Sequence, residues 1–240
     1  MEKEAYKQTY EAEENHWWFK GIRKIIFSIL DKKIKRNDLK ILDSGCGTGI
    51  LLTKLKKYGE PSGVDISEEA LKYCKERGLK KLYKSSVENL PFKENTFDLV
   101  TSIDVIYHKE VQSDIKALKE INRVLKKDGL ALIQVAAYNF MLSNHDKFVH
   151  TQRRYTKKEL EKKLREMGFK IEKITYINTF LFPIALIKRL TESKNTKSEL
   201  KPLPKIINDL FINILYLESK IINIINLPFG LSIICLARKQ

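Results

Sequence analysis

The sequence predicts a doubly wound α/β fold. Three observations carry that expectation: short apolar runs rich in Val, Ile and Leu recur along the chain, amphipathic segments of helical spacing separate them, and a glycine-rich turn closes the first run in "ILDSGCGTG", residues 41–49. Apolar strands alternating with helices of about 10–15 residues indicate crossover units and a mostly parallel sheet.

The elements follow in order. After the polar start MEKEAYKQTYEAEENH, the segment FKGIRKIIFSIL sets Phe19, Ile22, Ile26, Ile29 and Leu30 at helical spacing and predicts an amphipathic helix over 19–31. KILDSG reads as a buried strand, GILLTKLKKYG as a helix closed by Gly59, and PSGVDIS as a second strand ending in an acid. Ser67, with Glu69 and Ala70 behind it, opens a helix that runs to Gly78, and KKLYKSS is a third strand. FDLVTSID gives a fourth strand, a helix spans 111–126 and ends in KKDG, and LALIQVAAY is a fifth strand. Thr156 caps a helix over 156–167 that Gly168 stops, FKIEKITYIN alternates like an exposed-edge strand, and LSIICLARK closes the chain as a strand. Between them, residues 179–229 are less regular: FLFPIALIKRL, a polar Lys- and Ser-containing stretch, then a long helix with Lys205, Asn208, Asp209, Asn213, Lys220, Asn223 and Asn226 on one face and a wide Ile/Leu face opposite.

A chain of 240 residues with 43% hydrophobic content suits one large domain with an elaboration. The formal charge of +15 is uneven: from residue 151 onward eighteen Lys plus Arg face eight Asp plus Glu, whereas the first fourteen residues hold five acids against two lysines. A basic carboxyl-terminal part suits an anionic partner or simply a lysine-rich surface. Cys46, Cys74 and Cys235 stand far apart with no CxxC pair, which argues against a zinc site and a disulfide framework and for a reducing compartment. The start is unlike a signal peptide and no apolar stretch is long enough to span a bilayer, so a cytoplasmic protein is expected.

In an open parallel sheet, ligands bind where the first strand turns into its helix. The turn lacks the GK[ST] of a triphosphate loop and reads GxGxG at Gly45, Gly47 and Gly49 rather than GxGxxG. Asp65, twenty residues after Gly45 at the end of the second strand, is placed to accept both hydroxyls of a ribose.

With these residues in view, "ILDSGCGTG", "GVDIS", "SSVENLPFKENTFDLVTSIDVIYH" and "EINRVLKKDGLALIQV" resemble, in order and spacing, the successive motifs of class I S-adenosylmethionine-dependent methyltransferases. The resemblance covers about residues 38–178 and returns at the last strand. It implies a Rossmann-like seven-stranded sheet whose final strand inserts antiparallel, and S-adenosylmethionine as cofactor, with no metal. Residue by residue, it places Asp43, Gly45, Cys46, Gly47 and Gly49 beside the methionine part, Asp65 on the ribose, Ile66 against adenine, and Ser86 and Val87 at the adenine edge. Ser86 stands where many relatives carry an acid. Ile103, Asp104 and His108, at the exit of the fourth strand, face the methyl group or acceptor; a loop or capping role is the plainer reading of His108.

"EENHWWFKGIRK" and "SNHDKFVHTQRRYTKKEL" resemble a subgroup of this family that shares HWW and HD…H..RRYT stretches. The first implies a lid over the cofactor, with Trp17 or Trp18 on adenine or the sulfonium and Arg23 on the cofactor carboxylate; the plainer reading pins both tryptophans to the core. The second makes His145, Asp146, His150, Arg153, Arg154 and Tyr155 acceptor-side candidates, with His108, His145, His150 and Tyr155 the catalytic ones. Arg153 and Arg154 serve equally as braces for the next helix.

Three units follow: 1–34 as cap helices, 35–178 with 230–240 as the cofactor-binding core, and 179–229 as a helical insertion. The insertion suits an acceptor lid, a homodimer contact or peripheral contact with a membrane. The expected activity is in-line methyl transfer to a small-molecule or lipid- or glycan-linked acceptor. Nucleic acid fits less well, because neither an Asn/Asp-Pro-Pro-aromatic motif nor a Pro-Cys pair follows the fourth strand. The alternatives are a non-catalytic cofactor-binding protein and an RNA methyltransferase.

Overall fold

The computed structural model describes residues 3–142, 146, 150–191 and 203–240. Its centre is a seven-stranded sheet of order β3-β2-β1-β4-β5-β7-β6. The strands are β1 (Leu39–Ser44), β2 (Gly59–Asp65), β3 (Leu82–Lys84), β4 (Phe97–Ile103), β5 (Leu125–Ala136), β6 (Phe169–Ile177) and β7 (Ser232–Lys239). β1 to β5 pair in parallel, and β7 inserts antiparallel between β5 and β6. This is the predicted α/β architecture with the last strand reversed. The order reverses beside β1, so the crevice at its carboxyl end lies between β1 and β4.

Helices α1 (Lys3–Ala12), α2 (Trp17–Lys33), α3 (Ile50–Leu55), α4 (Glu68–Glu76), α5 (Asp114–Val124), α6 (Lys157–Glu166), α7 (Phe182–Thr191) and α8 (Lys205–Ile221) surround the sheet. Ser67, Ser113 and Thr156 cap α4, α5 and α6 by accepting from the amides of Ala70, Lys116 and Glu159. The Ser113 cap explains why α5 begins later than expected. KKDG, read as the end of that helix, belongs instead to β5, whose pairing with β4 shifts register between Phe97 and Leu99. Asp128 there has φ of 62°, a left-handed conformation that absorbs the irregularity.

α8 buries Leu215, Glu218 and Ser219 and packs the partly buried Phe211, Ile214 and Ile221 on the core, while Ile206, Leu210 and Leu217 stay exposed. The Glu218 carboxylate accepts from the amides of Asn178, Thr179 and Phe180, where the chain leaves β6. Asn208 accepts from the Trp17 amide at 2.8 Å, and Asn223 donates to Ser28 Oγ at 2.9 Å. Two asparagines of the polar face therefore tie the α8 segment to α2, and Gly21 lets the two helices approach. A Cβ at Gly21 would lie 2.8 Å from Leu215 Cβ. No described helix is long and apolar enough to cross a membrane.

Gly21→Val is expected to destabilise the protein by about 1–3 kcal/mol through overpacking against Leu215. Combining it with Leu215→Ala should recover part of that loss. Urea denaturation of the three variants against wild type measures both effects; additive losses in the double variant would show that the two side chains do not meet.

Candidate functional site

The glycine turn is built by its attachment to β2. The amides of Gly45 and Cys46 donate to the Val64 carbonyl at 2.8 and 2.9 Å, and Gly47 N donates to Asp65 Oδ2 at 2.9 Å. Gly45 and Gly47 have φ of 85° and 52°, the left-handed region. A Cβ at Gly45 would crowd Val105, whereas one at Gly47 would meet no atom within 4 Å. The open space beside Gly47 belongs to a cavity of about 910 Å³.

That cavity gathers many of the predicted residues: Trp18, Gly45, Gly47, Asp65, Ile66, Ser86, Val87, Ile103, Asp104 and His108 all line it. Trp17, Asp146 and Arg154 line it too. Trp17 also packs edge-on against Phe211 of α8 at 5.2 Å, so it both pins its helix and borders the cavity. His16, whose side chain caps α2, completes the HWW contribution.

Other predicted residues lie behind this surface. Asp43 is 2% exposed and accepts from Thr101 Oγ1 at 2.7 Å; burial pushes its carboxyl up to about 7. Cys46 turns inward to Cys74, with sulfurs 3.9 Å apart, and Gly49 caps α3. His150 sits next to the cavity histidine, its ring 5.5 Å from that of His108. Tyr155 is sealed in the core at 1% exposure and donates to Asp114 Oδ2 at 2.8 Å. Arg153 reaches Asp114 as well, at 3.5 Å, so Arg153 and Tyr155 brace α5. Among the described contacts, Arg153 and Arg154 pair with Asp114 and Asp146, and Asp114 in turn pairs with Lys163 of α6. His145 lies outside the described residues.

Arg154 and Asp146 form a buried pair on the cavity wall, with Arg154 Nη2 2.6 Å from Asp146 Oδ1. Arg154 Nη1 donates to the Ala137 carbonyl, and Arg189 of α7 joins Asp146 at 3.3 Å. Asp104 accepts from Gln134 Nε2 at 2.9 Å and is hydrogen-bonded to Tyr107; burial raises it to about 6. Burial lowers His108 to about 4, with His150 adding to the effect. His108 Nδ1 accepts from the Glu110 amide at 3.4 Å, which assigns the proton of the neutral ring to Nε2.

Residues 1–34 were expected as cap helices, but sequence reasoning singled out no residue of α1. Tyr6 and Thr9 line the cavity, and Tyr6 hydrogen-bonds Ser67 beside Asp65, with burial pushing its phenol up to about 12. Glu13, 4% exposed, accepts from Thr48 Oγ1 of the turn and from Arg77 Nη2 at 2.8 Å. Arg77 also donates to the Thr48 carbonyl at 3.1 Å and lies 4.3 Å over the Tyr10 ring. The run of acids at the amino terminus was the only signal, and nothing local tells which cation would meet it. Arg23 is within electrostatic reach of Glu13 and Glu14, and its buried Nη1 has no hydrogen-bond partner among the described residues.

Residues 42–133 match the methyltransferase-domain family. The uncharacterised protein MJ1123 of Methanocaldococcus jannaschii is 32% identical over 68% of this chain and 81% of its own length. The chain belongs to the methyltransferase-domain family. The uncharacterised protein MJ1252 of the same organism is 36% identical over 56% of this chain, a match that spans 51% of that relative's length. The demethylmenaquinone methyltransferase of Staphylococcus aureus is 38% identical over 40% of this chain and 43% of its own. The chain thus spans about half the length of such curated relatives. Among solved structures, a SAM-dependent methyltransferase of Thermotoga maritima shares the fold, with a TM-score of 0.59 and 19% identity over 99% of this chain and 96% of that one.

Across this methyltransferase domain, no three described His, Cys, Asp or Glu side chains gather as a metal site. The buried Asp43 gives a pH test of the turn's support. Its folded value near 7 is above the ordinary carboxylate value of 3.8, so its contribution is fully present below about pH 4 and is lost as pH rises through 7. Asp43→Asn should therefore gain stability relative to wild type between pH 5 and 8, by about a few kcal/mol at most. Urea denaturation at the two pH values checks this; an unchanged difference would contradict the burial effect.

Proposed function

We propose that the protein transfers a methyl group from S-adenosylmethionine to a small or lipid-linked acceptor by in-line displacement. The observation that carries this reading is one continuous cavity that joins the glycine turn and Asp65 to a chamber walled by Leu181, Ile184 and Ala185 of the α7 region and by Leu203 and Phe211 of the α8 region. Such walls suit an apolar acceptor better than a nucleotide strand. The similarity to a demethylmenaquinone methyltransferase adds support.

The residues fit the cofactor. Asp65 keeps lone pairs for ribose hydroxyls although its two oxygens already accept from Gly47 N and Ser67 N. The side-chain-free space at Gly47 admits a ligand against the backbone, and the unpartnered Arg23 Nη1 suits a carboxylate. Ile66, Val87 and Tyr6 offer the base an apolar slot, and Trp18 puts an aromatic ring on the cavity wall, suited to a positive charge. When bound, S-adenosylmethionine supplies a methyl group on a good leaving group, so alignment in an enclosed site accounts for much of the catalysis.

On the acceptor side, Asp104 holds a carboxyl that burial raises to about 6 and that can take a proton from the acceptor. His108 stays neutral at physiological pH and, protonated on Nε2, serves as a hydrogen-bond donor instead of a base. The insertion is then an acceptor lid and α1 with α2 a cofactor lid. A non-catalytic cofactor-binding role would use the same cofactor residues and differ only in turnover.

Calorimetric titration should show S-adenosylmethionine binding that Asp65→Ala weakens at least about tenfold, the loss of a charged hydrogen-bond acceptor. Equal affinity in the two proteins would refute the cofactor assignment. Release of S-adenosylhomocysteine that rises on adding a lipid extract separates turnover from simple binding.

A further inference from the structure

A helix packed on a globular core ordinarily buries its apolar stripe. α8 does so with Phe211, Ile214, Leu215 and Ile221, set among Asn208, Glu218 and Ser219, yet leaves a second set of aliphatics outside: Ile206, Leu210 and Leu217 are 84%, 55% and 56% exposed. Their spacing of four and then seven residues puts them on one helix face. Exposed aliphatics gathered on one element mark an interaction surface.

Cations border the stripe. Lys24 of α2 and Lys220 of α8 sit 5.4 and 4.6 Å from the Tyr216 ring, and Lys205 stands beside Ile206 at the start of the helix. Asp209, the exposed acid of α8, is paired with Lys205 at 2.6 Å. A second copy of a chain carrying +15 would bring like charges together across this face, whereas an anionic lipid surface complements it. Ile184 of α7 is 54% exposed and also lines the cavity, so α7 presents an aliphatic both outside and to the proposed acceptor chamber.

We propose that the outer face of α8, with the exposed side of α7, docks on the surface of an anionic phospholipid bilayer, the aliphatic stripe among the acyl chains and the lysines at the headgroups. Docking stands apart from the chemistry; only the passage of an acceptor from bilayer to cavity rests on the methyl-transfer reading.

Co-sedimentation of the full chain with vesicles of phosphatidylglycerol and phosphatidylcholine, and with phosphatidylcholine alone, tests it. Partitioning onto the anionic vesicles should be at least about tenfold stronger and fall with added salt. Replacing Ile206, Leu210 and Leu217 together by Ser should reduce it at least about tenfold, while S-adenosylhomocysteine affinity stays within about twofold. Because these side chains are exposed, the fold should survive; Lys24→Gln with Lys220→Gln is a second variant, expected to weaken binding to anionic vesicles alone. Absence of vesicle binding by the wild type, or equal binding by both variants, would overturn the proposal. So would a dimer seen by ultracentrifugation that the triple substitution abolishes without vesicle binding. Vesicle binding without cofactor binding would instead sink the methyl-transfer reading and leave docking standing.

Discussion

The site depends on three backbone amides. Gly45 and Cys46 donate to one carbonyl, that of Val64, and Gly47 donates to the carboxylate of the next residue, Asp65. These bonds lock the turn after β1 to the end of β2, so the backbone wall and the acid of the proposed ribose site form one rigid piece. Glycine adopts the left-handed conformations found at Gly45 and Gly47 without the strain a side chain would add. The sheet supplies the rest of the geometry, because parallel strands all deliver their carboxyl ends to the same edge.

Around that piece the chain places two covers of different kind. α1 is held by charge: buried Glu13 joins Thr48 of the turn to Arg77 at the end of α4. α7 and α8 are held by shape and by buried polar contacts, with Leu215 against Gly21 and Glu218 collecting three amides at the exit of β6. A buried carboxylate satisfied by backbone donors is strongly directional, and removing it would leave those donors unpaired. The insertion therefore extends both the core and the cavity.

Local signals made the sheet legible. β1, β2 and β4 carry apolar runs that end in Asp43, Asp65 and Asp104, and the caps Ser67 and Thr156 stand where their helices begin. The cavity-lining residues of the proposed cofactor side, such as Gly45, Gly47 and Asp65, lie at strand ends fixed by topology and were legible for the same reason. Long-range pairing was not legible. Arg77 and Glu13 are far apart in sequence, and neither residue's neighbours name the other. Tyr155 looked like part of a polar, acceptor-facing loop, yet its ring fills the core and its hydroxyl serves Asp114. Amphipathicity showed that α8 has two unlike faces, but not that Asn208 and Glu218 would find partners inside.

The central claim is that the glycine turn, Asp65 and the α1–α2 cover enclose S-adenosylmethionine. A crystal structure of the full chain grown with S-adenosylhomocysteine tests it most directly. The account predicts the ribose hydroxyls on Asp65, the adenine between Ile66 and Val87, and the amino-acid end along Gly45 and Gly47 beneath α1. A ligand bound elsewhere, or α1 closed over an empty turn at saturating ligand, would contradict it.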